Sequence, residues 1–157
     1  RRPDRLSSFG GLALMALAPQ VVRQRIAAAL AAVSGWAEFS GVPSRFPAFA
    51  ARPISHKHFS VGLPGVELAE GRQKAIGMPV SELVVVRWSY LLRASDGRDD
   101  YDLALIEEAK LVKALRFAVG DSGPSNTITG IGRAAIADGT YLLGTITATA
   151  WHNYPMT

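Results

Sequence analysis

The segment Glu82–Ala94 (ELVVVRWSYLLRA) constrains the fold more than any other stretch of this chain. It alternates with period two. Val84, Val86, Trp88, Tyr90 and Leu92 share one side, and Leu83, Val85, Arg87, Ser89, Leu91 and Arg93 share the other. Successive side chains of a strand point to opposite faces, so one face of this strand is wholly apolar and the other passes from apolar to basic. The first face must be buried against other elements. Two helical patterns elsewhere in the chain supply candidates.

The first helical pattern runs over Pro19–Val33. Val22, Ile26, Ala29, Leu30 and Val33 recur at spacings of three and four. Pro19 suits the first turn, where its missing N–H costs nothing, and Ser34-Gly35 is a stop signal. The second pattern starts at Asp99 or Asp100 and runs to Phe117. Its acidic start and basic end (Lys110, Lys113, Arg116) follow the helix dipole. Leu105, Ala109, Val112 and Leu115 are its expected apolar line. Glu107 and Glu108 are expected on its surface, paired with Lys110 and Lys113.

Three further strands are expected. His56–Leu63 alternates and ends at Pro64-Gly65. Thr127–Ala137 contains Gly130 and Gly132, which suggest a bulge or a close backbone approach. Ala137-Asp138-Gly139 then reads as a hairpin turn into Thr140–His152, whose core side is Leu142, Ile146, Ala148 and Ala150. The order is α-β-β-α-β-β. It predicts an α+β fold: a mostly antiparallel sheet of about four strands with two helices on one face. The 157 residues suit one domain, placed at 15–157. Residues 1–14 precede the first Met and are expected to be a poorly ordered or non-native leader.

Composition narrows the function. The chain has no cysteine, so disulfides and thiolate chemistry are excluded. The net charge is +4, but the arginines are scattered and form no basic stripe with aromatics, which argues against nucleic-acid readout. The apolar stretch Leu12–Val22 is too short to span a bilayer. His56, His58 and His152 form a weak metal set with no acidic residue at matching spacing. There is no G-x-S-x-G elbow, and Gly130-Ile131-Gly132-Arg133 lacks the third glycine of a phosphate cradle. No catalytic residue, cofactor or metal is therefore expected, and the chain reads as a protein that assembles with others.

Residues 35–55 form a Pro-rich loop that carries Trp36, Phe39, Phe46 and Phe49. It is either a lid over the domain's own core or a partner surface. The connection 64–81 (PGVELAEGRQKAIGMPVS) is long and of mixed charge. A loop this long in a compact domain is usually functional or mobile.

Taken together, Val21–Val33 (VVRQRIAAALAAV), Glu82–Leu92 (ELVVVRWSYLL), Tyr101–Leu115 and Gly139–Tyr154 (GTYLLGTITATAWHNY) resemble the tail terminator proteins of long-tailed bacteriophages and gene transfer agents. The resemblance covers most of the chain from Met15 and is one of element order; the Pro- and Phe-rich loop 41–55 has no counterpart in it. It implies a homo-oligomeric ring, usually a hexamer, located in the virion at the head-proximal end of the tail and assembled in the host cytoplasm. Such a ring caps the tail tube and joins it to the head–neck connector. Its partners would be its own copies, the tube protein and the connector protein, with DNA only passing through the lumen and no membrane. Candidate interface residues are Phe46 and Phe49, Glu67, Glu70, Arg72 and Lys74 in the long connection, Arg87 and Arg93 on the strand, and Asp121 in the loop 120–126. Two alternatives stay open: a neck, head-completion or minor tube protein of the same particle, and a ligand-binding or hydrolytic domain with Trp88, Tyr90, Phe46 and Phe49 around a pocket.

Overall fold

The structure is a computed structural model that describes residues 18–47, 54–68, 78–93, 97–118 and 126–155. Helix α1 is Pro19–Ala31, strand β1 is Ala37–Glu38, β2 is His58–Leu68 and β3 is Met78–Leu91. Helix α2 is Gly97–Arg116, β4 is Thr127–Ile136 and β5 is Tyr141–Tyr154. The strands form one five-stranded sheet in the order β1-β2-β3-β5-β4. Every pairing is antiparallel except the short β1, which runs parallel to β2. The α+β class is as expected. The sheet has one strand more than the sequence suggests, and that strand makes it mixed. Two residues, Ala37 and Glu38, carry too short a pattern to be read in advance.

Two strand boundaries also differ. Pro64-Gly65 does not end β2. It makes a register shift between Gly62 and Gly65, after which pairing to β3 resumes through Leu68. Proline is tolerated there because the shift and the sheet edge remove the need for its N–H. β3 starts at Met78, earlier than expected, so the connection 64–81 shrinks to the residues between Leu68 and Met78. The turn Ala137-Asp138-Gly139 forms as expected, with φ of 53°, 55° and 83° at its three residues.

β3 lies at the centre. Its even-numbered side chains meet α1 and α2, and Val80, Val84, Val86 and Trp88 are fully buried. The same face of β5 supplies Leu142, Ile146, Ala148 and Ala150 to the core. α1 packs Val22, Ile26 and Leu30 onto it, a single row at spacings of four. Burying each such side chain stabilises the fold by about 1.5–3 kcal/mol. α2 is turned by about one position from the expected line. Ala104, Glu108, Leu111 and Leu115 face inward, while Ala109 is exposed. Glu108 lies on this inward side, where Arg133 of β4 binds it.

Trp88 and Gly144 form the tightest contact in the core. They are paired across β3 and β5. The indole lies directly over Gly144, where a Cβ would sit 1.9 Å from a Trp88 ring carbon. Trp36 meets the same ring edge-on, with centroids 6.1 Å apart. Trp36 and Phe46 are both buried, and Phe46 packs edge-on against Phe39. At these residues the aromatic loop acts as a lid on the domain's own interior.

Candidate assembly interface

Both helices cover the same face of the sheet. The opposite face carries Gly65, Glu67, Leu83, Val85 and Arg87 from β2 and β3, then Leu143, Thr145, Thr147, Thr149 and Trp151 from β5. This assignment follows from register, since paired residues share a face. The face is poor in charge. Trp151 is 50% exposed on it and Leu83 39%.

Arg87 is a candidate residue that borders a groove on this face. It is half-buried and has no hydrogen-bond or ion-pair partner among the described residues. A short 3-10 turn, Pro43–Arg45, leans over this face, and Pro43 comes within 3.6 Å of where a Gly62 Cβ would stand. Between them runs a groove of ≈ 370 Å³ lined mainly by Val42, Pro43, Ser60, Gly62, Val85 and Arg87. It is apolar apart from the one guanidinium, and Val42 is 59% exposed at its rim.

The other candidates divide. Arg93 is engaged within the fold: its Nε and Nη2 donate to the two carboxylate oxygens of Asp100 at 3.0 and 2.7 Å, and its backbone N–H donates to Oδ2 at 2.6 Å. It clamps the end of β3 to the first turn of α2. Glu67 is exposed on β2, opposite Ser81. Phe46 is buried. Phe49, Glu70, Arg72, Lys74 and Asp121, like residues 1–14, expected to be a leader, lie outside the described residues.

The three histidines do not converge. His152 is at the Met78 end of β3, paired with Val80, while His56 and His58 stand at its other end. His56 Nδ1 accepts the N–H of Leu91 at 3.0 Å. Burial, aided by the Lys57 charge, lowers the pKa of His56 and so favours the neutral ring that this bond requires. Among the described residues no group of three His, Asp or Glu side chains could hold a metal. No described helix is long and apolar enough to cross a membrane. The indole of Trp88 and the ring of Tyr90 are buried in the core.

The expected Glu107–Lys110 pair forms, but three sets of long-range polar contacts were not legible in the sequence. Glu107 gathers Trp36 Nε1 at 2.9 Å, Lys110 Nζ at 2.8 Å and Lys57 Nζ at 3.2 Å, tying α2 to both ends of the first crossover. Glu108, expected on the surface, is buried and takes a bidentate grip from Arg133 of β4. Glu82 and His152 form a buried pair, Oε1 to Nε2 at 3.0 Å. Apart from Lys110, each partner lies far away in the chain, and no local spacing marks it. The one available hint is Glu82, a charged residue on the side of a strand that is otherwise apolar.

Two of these carboxylates make the fold sensitive to acid. Hydrogen bonds from the Arg93 side chain and backbone hold Asp100 at about 2. Burial pushes Glu107 upward, but the bonds from Lys110, Trp36 and Lys57 outweigh it and leave Glu107 at about 2 as well. Both lie below the unfolded carboxylate value of about 4. The stability they contribute is therefore complete above about pH 4 and is lost as the pH falls through about 2. Melting temperature is expected to decline across that window, and Asp100→Asn should flatten the decline. An equal decline in Asp100→Asn and Glu107→Gln would show that other groups cause it.

With the geometry in place, the comparison with known structures becomes informative. The fold is similar to that of a chain in the virion of a native gene transfer agent particle. The TM-score is 0.51, the sequence identity 18%, and the match covers 87% of this chain and 95% of that one. At this identity the likeness is one of fold. No protein-family profile and no curated protein sequence matches the chain.

Proposed function

We propose that this chain is a structural subunit of a phage-like or gene transfer agent virion, and that it serves there as the tail terminator. One observation carries the reading: the fold is similar, over most of both chains, to that of a chain in a gene transfer agent virion. The element order, matched from sequence to the terminator family, points the same way. In this role the chain forms a ring, hexameric by analogy, that stops the tail tube and meets the head–neck connector, with DNA passing only through its lumen. A ring requires heterologous contacts, one patch of each subunit meeting a different patch of the next. The charge-poor open sheet face and the Arg87 groove are available for contacts with neighbours or with the tube.

The test is removal of the protein from a particle-producing source, followed by negative-stain imaging. Overlong tails are the expected result. Tails of normal length that fail to join heads would assign a neck role instead, and normal particles would reject both. In parallel, native mass by light scattering across a range of concentrations is expected to report a multimer. A monomer that melts higher with a small ligand would favour the ligand-binding alternative.

A further inference from the structure

Among the described residues the sheet has two open edges, and they differ in length and chemistry. β4 forms one of them. Thr127 and Ile131–Ala135 are exposed, and Ile131 is 46% exposed. The strand contains no Lys, Asp, Glu or Pro. Its one charge, Arg133, points to the helix side and is held by Glu108. Its bulge falls early, between Ile128 and Gly130, and leaves regular pairing to β5 from Gly130 to Ile136. Edge strands of lone domains are normally shielded by Lys, Pro, bulges or inward-pointing charges, because a row of unpaired N–H and C=O groups recruits another strand. β4 has an early bulge and the inward Arg133, but no Lys or Pro, and its regularly paired stretch from Gly130 to Ile136 is otherwise unshielded.

The other edge is nominally β1, but β1 covers only His58 and Phe59 of β2. Among the described residues no strand pairs with the outer side of β2 beyond them. Pro64 to Leu68 are all exposed, with Val66 at 38% and Leu68 at 53%. The directions of the two edges are complementary. β2 and β5 are each antiparallel to β3, and β4 is antiparallel to β5. β4 therefore runs opposite to β2. Copies set side by side in one orientation bring β4 of one against β2 of the next in antiparallel sense, the stronger form of pairing. The open stretches are also offset. Gly65, Leu83, Thr149 and Thr127 lie in one row across the sheet, so the open part of β2 begins where β4 begins. Pairing them demands a stagger, which is what closing a sheet into a barrel requires.

We propose that β4 docks against the Gly65–Leu68 edge of β2 in a second copy of this chain, head to tail, so that the sheets of neighbouring subunits join into one closed barrel. The helices then lie outside, and the helix-free face with Thr145, Thr147, Thr149 and Arg87 lines the hole. The inference takes from the proposed function only that the assembly is a closed ring.

The absence of cysteine makes the test clean, since any introduced thiol is unique. Ala134→Cys on β4 and Glu67→Cys on β2 project from the same face of the sheet. Mixed and treated with a short bis-maleimide, they are expected to give a covalent dimer that neither variant gives alone. Ala134→Cys linking to itself would overturn the head-to-tail arrangement, and no linking in the mixture would overturn the contact. Independently, Ile131→Lys is expected to reduce the native mass to that of a monomer while the melting temperature of the subunit is kept. An undiminished multimer in a folded Ile131→Lys variant would show that the ring closes elsewhere, which removes this inference and leaves the terminator reading intact. A wild-type monomer together with normal particles after gene removal would remove both.

Discussion

Replacing Gly144 by alanine is expected to destabilise the fold by about 3 kcal/mol, the upper part of the usual range for overpacking a core. A methyl group there would stand 1.9 Å from Cε2 and 2.2 Å from Nε1 and Cζ2 of Trp88. The ring has no room to withdraw. It is fully buried, and Trp36 holds its edge. At roughly 2–4 °C per kcal/mol for a domain of this size, the melting temperature should fall by roughly 6–12 °C. The decisive measurement is a double-mutant cycle. Trp88→Leu alone should also destabilise, through the cavity it leaves. Combined with Gly144→Ala it should cost clearly less than the sum, because the methyl then fills space the indole vacated. Additive losses would mean that the clash is not what Gly144 avoids.

The second large effect concerns the pair at the Met78 end of the sheet. Glu82 and His152 are on neighbouring strands, with side chains only 3% and 2% exposed. Nε2 and Oε1 share the hydrogen bond, and His152 Nδ1 has no hydrogen-bond partner among the described residues. Glu82→Ala or His152→Ala strands the remaining polar group in an apolar setting, which costs about 3–5 kcal/mol in comparable buried pairs. The double replacement Glu82→Met/His152→Leu should recover most of that loss, since a buried pair contributes little over well-packed apolar side chains. Denaturant midpoints of the four proteins test this. Single and double replacements with equal losses would show that cavity formation, not the unpaired polar group, sets the cost.

Sequence and structure agree where the information is local. Period two in Glu82–Leu91, the spacing of Val22, Ile26 and Leu30, and the Ala137-Asp138-Gly139 turn each depend on residues a few positions apart, and each is seen as expected. Disagreement appears where a partner from another segment intervenes. Pro64-Gly65 is a stop signal by itself, but β3 continues to pair beyond it. Ala109 belongs to a reasonable apolar line on α2, but the helix buries Ala104, Leu111 and Leu115 instead, with Glu108 beside them held by Arg133. The candidate interface was legible only in part. Arg87 does face an open groove, whereas Arg93 is bound to Asp100 and Phe46 is buried in the lid.

The alternating strand Glu82–Leu91 shows where the boundary lies. The sequence by itself determined that this segment is a strand with one face that must be buried, because alternation is a property of the chain and water alone. It also determined the two helices that could bury it. Only the tertiary structure decided that Gly144 must lie beneath Trp88, that Glu82 has His152 for company, and that no other described strand covers β4 or the end of β2. Those outcomes depend on register between segments, and a shift of one residue would have reversed every one of them.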